Sequence, residues 1–248
     1  MKRQVAAELL KIRTARMWLW LLIGAAAFTV LTALLSGLLA GQQDTPAIDT
    51  AEAQRNLFGS ASAGYIFTLV LGILGMTGEY RHMTVSSTFL VQPRRGVVVA
   101  AKLAAYALVG LGYAAVCAVL TLALAYPILA LRDTSVHPTV DVPLIILGAA
   151  AGTALYAVLG VAVGALIRNQ IAAVVGALGW VLIVEQLVVA FLPEVGKWLP
   201  GGAASAMFQA SVPGGDLLEA WAGGLVFVAY AIVFAVLGTR LTVRRDVT

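Results

Sequence analysis

Six long apolar runs, and the way charge is divided among their connections, constrain this chain more than any other feature. The runs cover about 18–40, 57–78, 97–126, 144–167, 171–192 and 218–239. Numbering the connections alternately, with the N-terminus inside, places Lys2, Arg3, Lys11, Arg13, Arg16, Arg81, Arg94, Arg95, Lys102, Arg168, Arg240, Arg244 and Arg245 on one side. Only Arg55, Arg132 and Lys197 fall on the other. Acidic residues divide the opposite way, with Glu8, Glu79 and Asp246 inside, eight outside and Glu185 within a run. Basic residues stay cytoplasmic during insertion. The chain is therefore expected to be an all-α integral membrane protein with six transmembrane helices and both termini cytoplasmic.

Each run has the roughly 20 apolar residues that crossing about 30 Å of hydrocarbon requires. The 248 residues are 61% hydrophobic, with a mean hydropathy of +0.95. Six spans leave no connection long enough for a separate soluble domain, so residues 1–248 form one transmembrane domain. The net charge of +4 is what basic ends facing anionic lipid produce, and nucleic acid is not expected as a partner. Cys117 stands alone, which rules out an intrachain disulfide and a thiolate metal site. His82 and His137 fall on opposite sides and cannot share a metal. The lead-in of 17 residues, the length of the first run and the poor cleavage site Leu38-Leu39-Ala40 predict that the first run stays as a helix.

Between the runs, residues 2–16 carry Val5, Leu9, Ile12 and Arg16 at helical spacing. They read as an amphipathic helix lying in the interface, or as a solvated basic leader. In the first outer loop, Asp49 or Thr50 caps a short helix that runs into the second span. Residues 78–95 are too polar to cross. A two-turn helix near 83–91, with Val85, Phe89 and Leu90 on one side, ends before Pro93. The alternative is a surface loop with a Glu79–Arg81 or Glu79–Lys102 pair. Three residues, Arg168-Asn169-Gln170, join spans four and five and predict a tight hairpin. Gly148, Gly152, Gly160 and Gly164 fall on one face of span four with Tyr156 in the remaining slot. That face is a packing seam, a substrate path or a dimer seam. Past span five, residues 193–216 hold a short helix bracketed by Gly-Pro breaks, resting on or dipping into the outer leaflet.

Glu185 is the one ionisable residue deep inside a run, where it costs at least about 2.5 kcal/mol unless paired or hydrated. It either meets a polar or cationic part of a substrate, or stays neutral and bonds to Gln186 or to a hydroxyl across the bundle. Gly196-Lys197-Trp198 lacks the earlier glycine and the Ser or Thr of a phosphate loop. No buried relay of charges and no Ser–His pair within the bilayer is present. The chain itself has no evident energy source and no catalytic site, and a partner is expected to supply the energy.

In this setting Gly78-Glu79-Tyr80-Arg81-His82-Met83-Thr84, followed by Gln92-Pro93-Arg94-Arg95 and Ala101-Lys102-Leu103, resembles the permease subunit of an ABC-2 type transporter, a bacterial ABC exporter with an ABCG-like membrane fold. The resemblance covers essentially the whole chain, with Met83 standing where many relatives have glycine. It implies a dimer with an identical or paralogous permease, and two separate ATP-binding subunits carrying ATP and Mg. No cofactor is implied on this chain, which is not itself an enzyme. It implies a bacterial cell membrane, a coupling helix at 83–91 seated on the ATPase, and a short helix at 200–210 in the outer gate. Under it, Glu79, Arg81, Met83, Thr84, Ser87, Phe89 and Arg94 serve ATPase coupling, and Glu185 and Gln186 line the substrate path or form a buried polar pair. Alternatives are a non-transporting, ATPase-linked immunity or sensor subunit, a stand-alone secondary carrier, and an integral membrane enzyme.

Overall fold

The computed structural model describes residues 1–42, 45–81, 95–167, 169–209 and 217–244. All the regular secondary structure among them is helical. Six stretches are long and apolar enough to cross a membrane: Met17–Leu38, Ala51–Arg81, Gly96–Leu131, Val142–Leu166, Gln170–Phe191 and Ala220–Arg240.

Helix α1 (Lys2–Thr14) precedes α2 (Met17–Leu38). The leader helix was expected to run to residue 16, but it stops at Thr14. Arg16 takes a left-handed conformation (φ 46°) that turns the chain into α2. The second crossing is composite: α3 (Ala51–Gly59), a 3₁₀ turn at Ser60–Ser62, and α4 (Tyr65–Arg81). Thr50 caps α3 by accepting from the Ala53 N–H at 3.3 Å, as a hydroxyl at that position should. The third crossing, α5 (Arg95–Leu131), continues through Pro127 beyond the expected end at Tyr126. A proline inside a helix removes one backbone donor, yet here the helix carries on for another turn. α6 (Val142–Leu166) starts at Asp141, whose carboxylate accepts from the Leu144 N–H at 3.0 Å.

The fifth crossing divides into α7 (Gln170–Gly179), a π turn at Trp180–Val184 and α8 (Glu185–Phe191). Asn169 caps α7 through the Ala172 N–H. The fourth and fifth crossings are joined by the short connection expected, α6 ending at Leu166 and α7 starting at Gln170, but they do not pack closely along their length. α7 packs mainly on α4 rather than back along α6, because a short connection fixes where a helix starts and not which neighbour it follows. The short helices α9 (Pro193–Gly196) and α10 (Pro200–Met207) come next, then α11 (Ala220–Arg244).

α4 and α6 form the centre. In each of these two crossings 61% of the most apolar window is buried, against 11% for the fifth crossing and 17% for the sixth. The glycine face of α6 is a seam within the chain. Gly160 meets the Leu69 carbonyl, Gly164 the backbone at Ile73, Gly148 the Met207 carbonyl and Gly152 the Phe208 ring. Small residues let backbones approach this closely. Tyr156, in the slot between the two glycine pairs, stacks on Tyr65 at 4.5 Å and meets Phe227 edge-on at 4.7 Å. Thr68 crosses the same seam by donating to the Thr153 carbonyl at 2.9 Å. α10 is buried against α6 and α11 and is covered by protein.

Contacts sort the connections into two ends. Arg81 and Gln170 meet at one end, together with α1. At the other, buried Gln54 donates to the Ile48 and Ser135 carbonyls and accepts from the His137 N–H, and Arg55 donates to the Thr139 carbonyl.

Candidate functional site

Two groups built around buried ionisable residues stand out, one at an end of the bundle and one within the fifth crossing. The first is a four-member ion cluster built from α1, the last turn of α4 and the first turns of α5. Lys102 Nζ lies 2.5 Å from Glu8 Oε2 and 3.0 Å from Glu79 Oε1. Lys11 Nζ lies 2.6 Å from Glu8 Oε1 and 3.0 Å from Glu79 Oε1. Each cation therefore bridges both carboxylates. Lys102 is 2% exposed and Glu8 5%, so neither charge could be buried without the other. The Lys102 ammonium also sits 5.7 Å above the Tyr106 ring.

The local sequence explains how the cluster assembles. Glu8 and Lys11 are three residues apart, hence on one face of α1. Ile12, buried on the same side, seats that face on the bundle. Burial pushes the Glu8 carboxyl up, but Lys102 and Lys11 outweigh it and hold the group below its ordinary value. Burial likewise pushes Lys11 down, and Glu8 and Glu79 reverse it to a net rise. The cluster lines a cavity of about 750 Å³ that also has Trp18, Tyr106 and Gln170 in its wall.

Of the residues expected to serve coupling, Glu79 belongs to this cluster. Arg81 makes a long 3.5 Å contact from Nη1 to Gln170 Oε1. Met83, Thr84, Ser87, Phe89 and Arg94 lie outside the described residues, as does the expected helix at 83–91. The sequence reading named Lys102 as one possible partner of Glu79 and overlooked Glu8 and Lys11. A signal was there: a lysine within an apolar helix needs a carboxylate, and that side of the chain holds only Glu8, Glu79 and Asp246.

The second group centres on Glu185, which is fully buried. Trp180 Nε1 donates to Glu185 Oε1 at 2.8 Å. Residues five apart do not share a face of a regular α-helix, but a π turn closes i to i+5 and aligns them. Oε2 abuts Gly201 in the first turn of α10, where a Cβ would collide with it. The expected bond to Gln186 does not form, because one residue along a helix is a turn of about 100° away. Gln186 instead reaches the Val181 carbonyl at 3.4 Å. Glu185 thus joins the fifth crossing to the buried start of α10.

No protein-family model matches the chain, and no curated protein matches its sequence.

Proposed function

We propose that this chain is the permease subunit of an ATP-driven, ABC-2 type exporter in a bacterial cell membrane, paired with a second permease and with two separate ATP-binding subunits. The observation that carries the reading is the ion cluster. Glu79 closes the helix that enters residues 82–94, and Lys102 lies two turns into the helix that leaves them. A segment pushed from below between those helices would transmit its displacement to α1, α4 and α5 together, since buried Lys102 and half-exposed Lys11 hold all three. The six apolar crossings, the strong basic bias and the covered α10 are in keeping with this reading. In this reading ATP and Mg are carried by the ATP-binding subunits.

The experiment is a mild-detergent pull-down of the tagged protein from its native membrane, read by mass spectrometry. A stoichiometric ATPase subunit, lost on Phe89→Asp while membrane insertion continues, is the expected result. A chain that runs alone at native expression overturns the proposal. Co-purification with substrate-stimulated ATP turnover but no export would make it a sensor subunit instead.

A further inference from the structure

At the end of the bundle away from the ion cluster, a cavity of about 420 Å³ opens between α2 and the fifth crossing, with α3 and the start of α4 as its floor. α2 lines it with Phe28, Thr32 and Ser36, four residues apart and so on one face. The fifth crossing contributes Leu182 and Gln186, again four apart, and α3 contributes Arg55 and Asn56.

Chain direction turns these stripes into a gradient. α2 and the fifth crossing both run from the ion-cluster end towards the Arg55 end. Along α2 the lining passes from Phe28 to Thr32 to Ser36, and along the fifth crossing from Leu182 to Gln186. The wall is therefore apolar towards the middle of the bundle and polar at its rim, in the same sense on both sides.

The rim carries one sign of charge. Arg55 is the only ionised residue among the described residues that line the cavity. Its Nη2 donates to the Thr139 carbonyl at 3.2 Å, which pins the guanidinium. Its Nε is buried without a hydrogen-bond partner among the described residues. A buried donor left unmade is costly, more so on a cation, and an anionic acceptor relieves the cost.

We propose that this cavity binds a single-chain amphiphile with an anionic head, phosphate or carboxylate. The head meets Arg55, Asn56 and Ser36, and the chain runs inward along Phe28 and Leu182. The inference deepens the permease reading by naming the class of substrate, and rests on it only for onward transport, since binding needs no ATPase.

The test is equilibrium binding of radiolabelled dodecyl phosphate to the full chain in nanodiscs of zwitterionic lipid. Laurate, inorganic phosphate, dodecyltrimethylammonium and dodecyl maltoside serve as competitors. Saturable binding is expected, displaced by laurate and weakened about tenfold or more by Arg55→Gln, the loss of a charged hydrogen bond. Thr32→Trp, which fills the cavity and leaves the charge in place, should abolish it at unchanged thermal stability, and decides the matter if the Arg55 variant does not fold. Equal competition by the cationic or neutral amphiphile overturns the proposal in favour of a generic apolar cleft. Equal competition by inorganic phosphate overturns it in favour of a bare anion site. Either failure leaves the permease reading to stand or fall on co-purification of the ATPase.

Discussion

Lys102 is the residue on which the ion cluster depends. Removing one member of a buried ion group leaves the others uncompensated, typically at about 3–5 kcal/mol. Lys102→Met should therefore lower the melting temperature markedly. Adding Glu8→Gln should recover part of the loss, because the coupling between two residues in contact is not additive. Equal, additive losses in a double-mutant cycle would show that the two side chains do not act together. The pH dependence follows from the same contacts. Glu8 is held below its ordinary 4.5, so its contribution is complete above that value and lost as pH falls through the lowered one. Lys11 is raised above its ordinary 10.5, so its contribution is complete below that and lost as pH rises through the raised value. Docking of α1, followed as a spin-label distance from Leu10 to Leu111, should be flat from about pH 5 to 10 and fail in acid below 4.5. A transition near neutral pH would contradict the assigned pairs. Little of this was legible beforehand. Apolar spacing drew attention to Val5, Leu9 and Ile12 on α1, while the charges that hold the helix come from residues 68 and 94 positions away in sequence, which no local pattern connects.

Among the elements, α4 and α6 form the closest pair. The four-residue spacing of glycines on α6 made a close seam legible in the sequence, but not which of three partners it faces. That answer required Leu69, Ile73 and Met207 to be placed, and they come from two separate parts of the chain. A Cβ at Gly160 would enter the space of the Leu69 carbonyl, a backbone atom that cannot rotate away. Gly160→Ala should cost about 1–3 kcal/mol, read as a drop in melting temperature. Gly112, with nothing near a built Cβ, is the control, and Gly112→Ala should leave stability unchanged or slightly higher. Equal losses at the two positions would remove the seam. The fifth crossing was legible as a span and illegible in its detail. A π turn has no composition of its own, so the pairing of Trp180 with Glu185 became visible only with the backbone. The continuation of α5 past Pro127 has a similar cause. The breaking tendency of proline is a local preference, and the apolar residues Ile128 and Leu129, both buried, favour extending the helix.

At the scale of the molecule, the two ends defined by contacts coincide with the two sides defined by charge. Lys11, Glu79, Arg81 and Gln170 share one end, and Gln54, Arg55, Ser135 and Thr139 share the other. If the basic bias sets orientation, cysteines placed at Thr139 and Glu194 should react with a membrane-impermeant maleimide on intact cells. One at Arg81 should react only after permeabilisation. The opposite pattern would invert the topology. Six apolar crossings could be read from hydropathy alone, whereas their arrangement could not, because every crossing is apolar enough to have been central. What distinguishes the central pair is the set of small residues at which their backbones meet, Gly72, Gly160 and Gly164. Glycine, alanine and threonine crowd the α4–α6 seam, while Trp20, Ile171, Phe191 and Trp221 point outward, each more than two-thirds exposed. The familiar map of mutational tolerance thereby keeps its inside and outside but exchanges the sizes of the residues found there. On a water-soluble protein, saturation mutagenesis finds the small surface positions permissive and the large interior ones strict. Here an outer tryptophan exchanged for leucine should pass unnoticed, and one methyl group added at the axis should not.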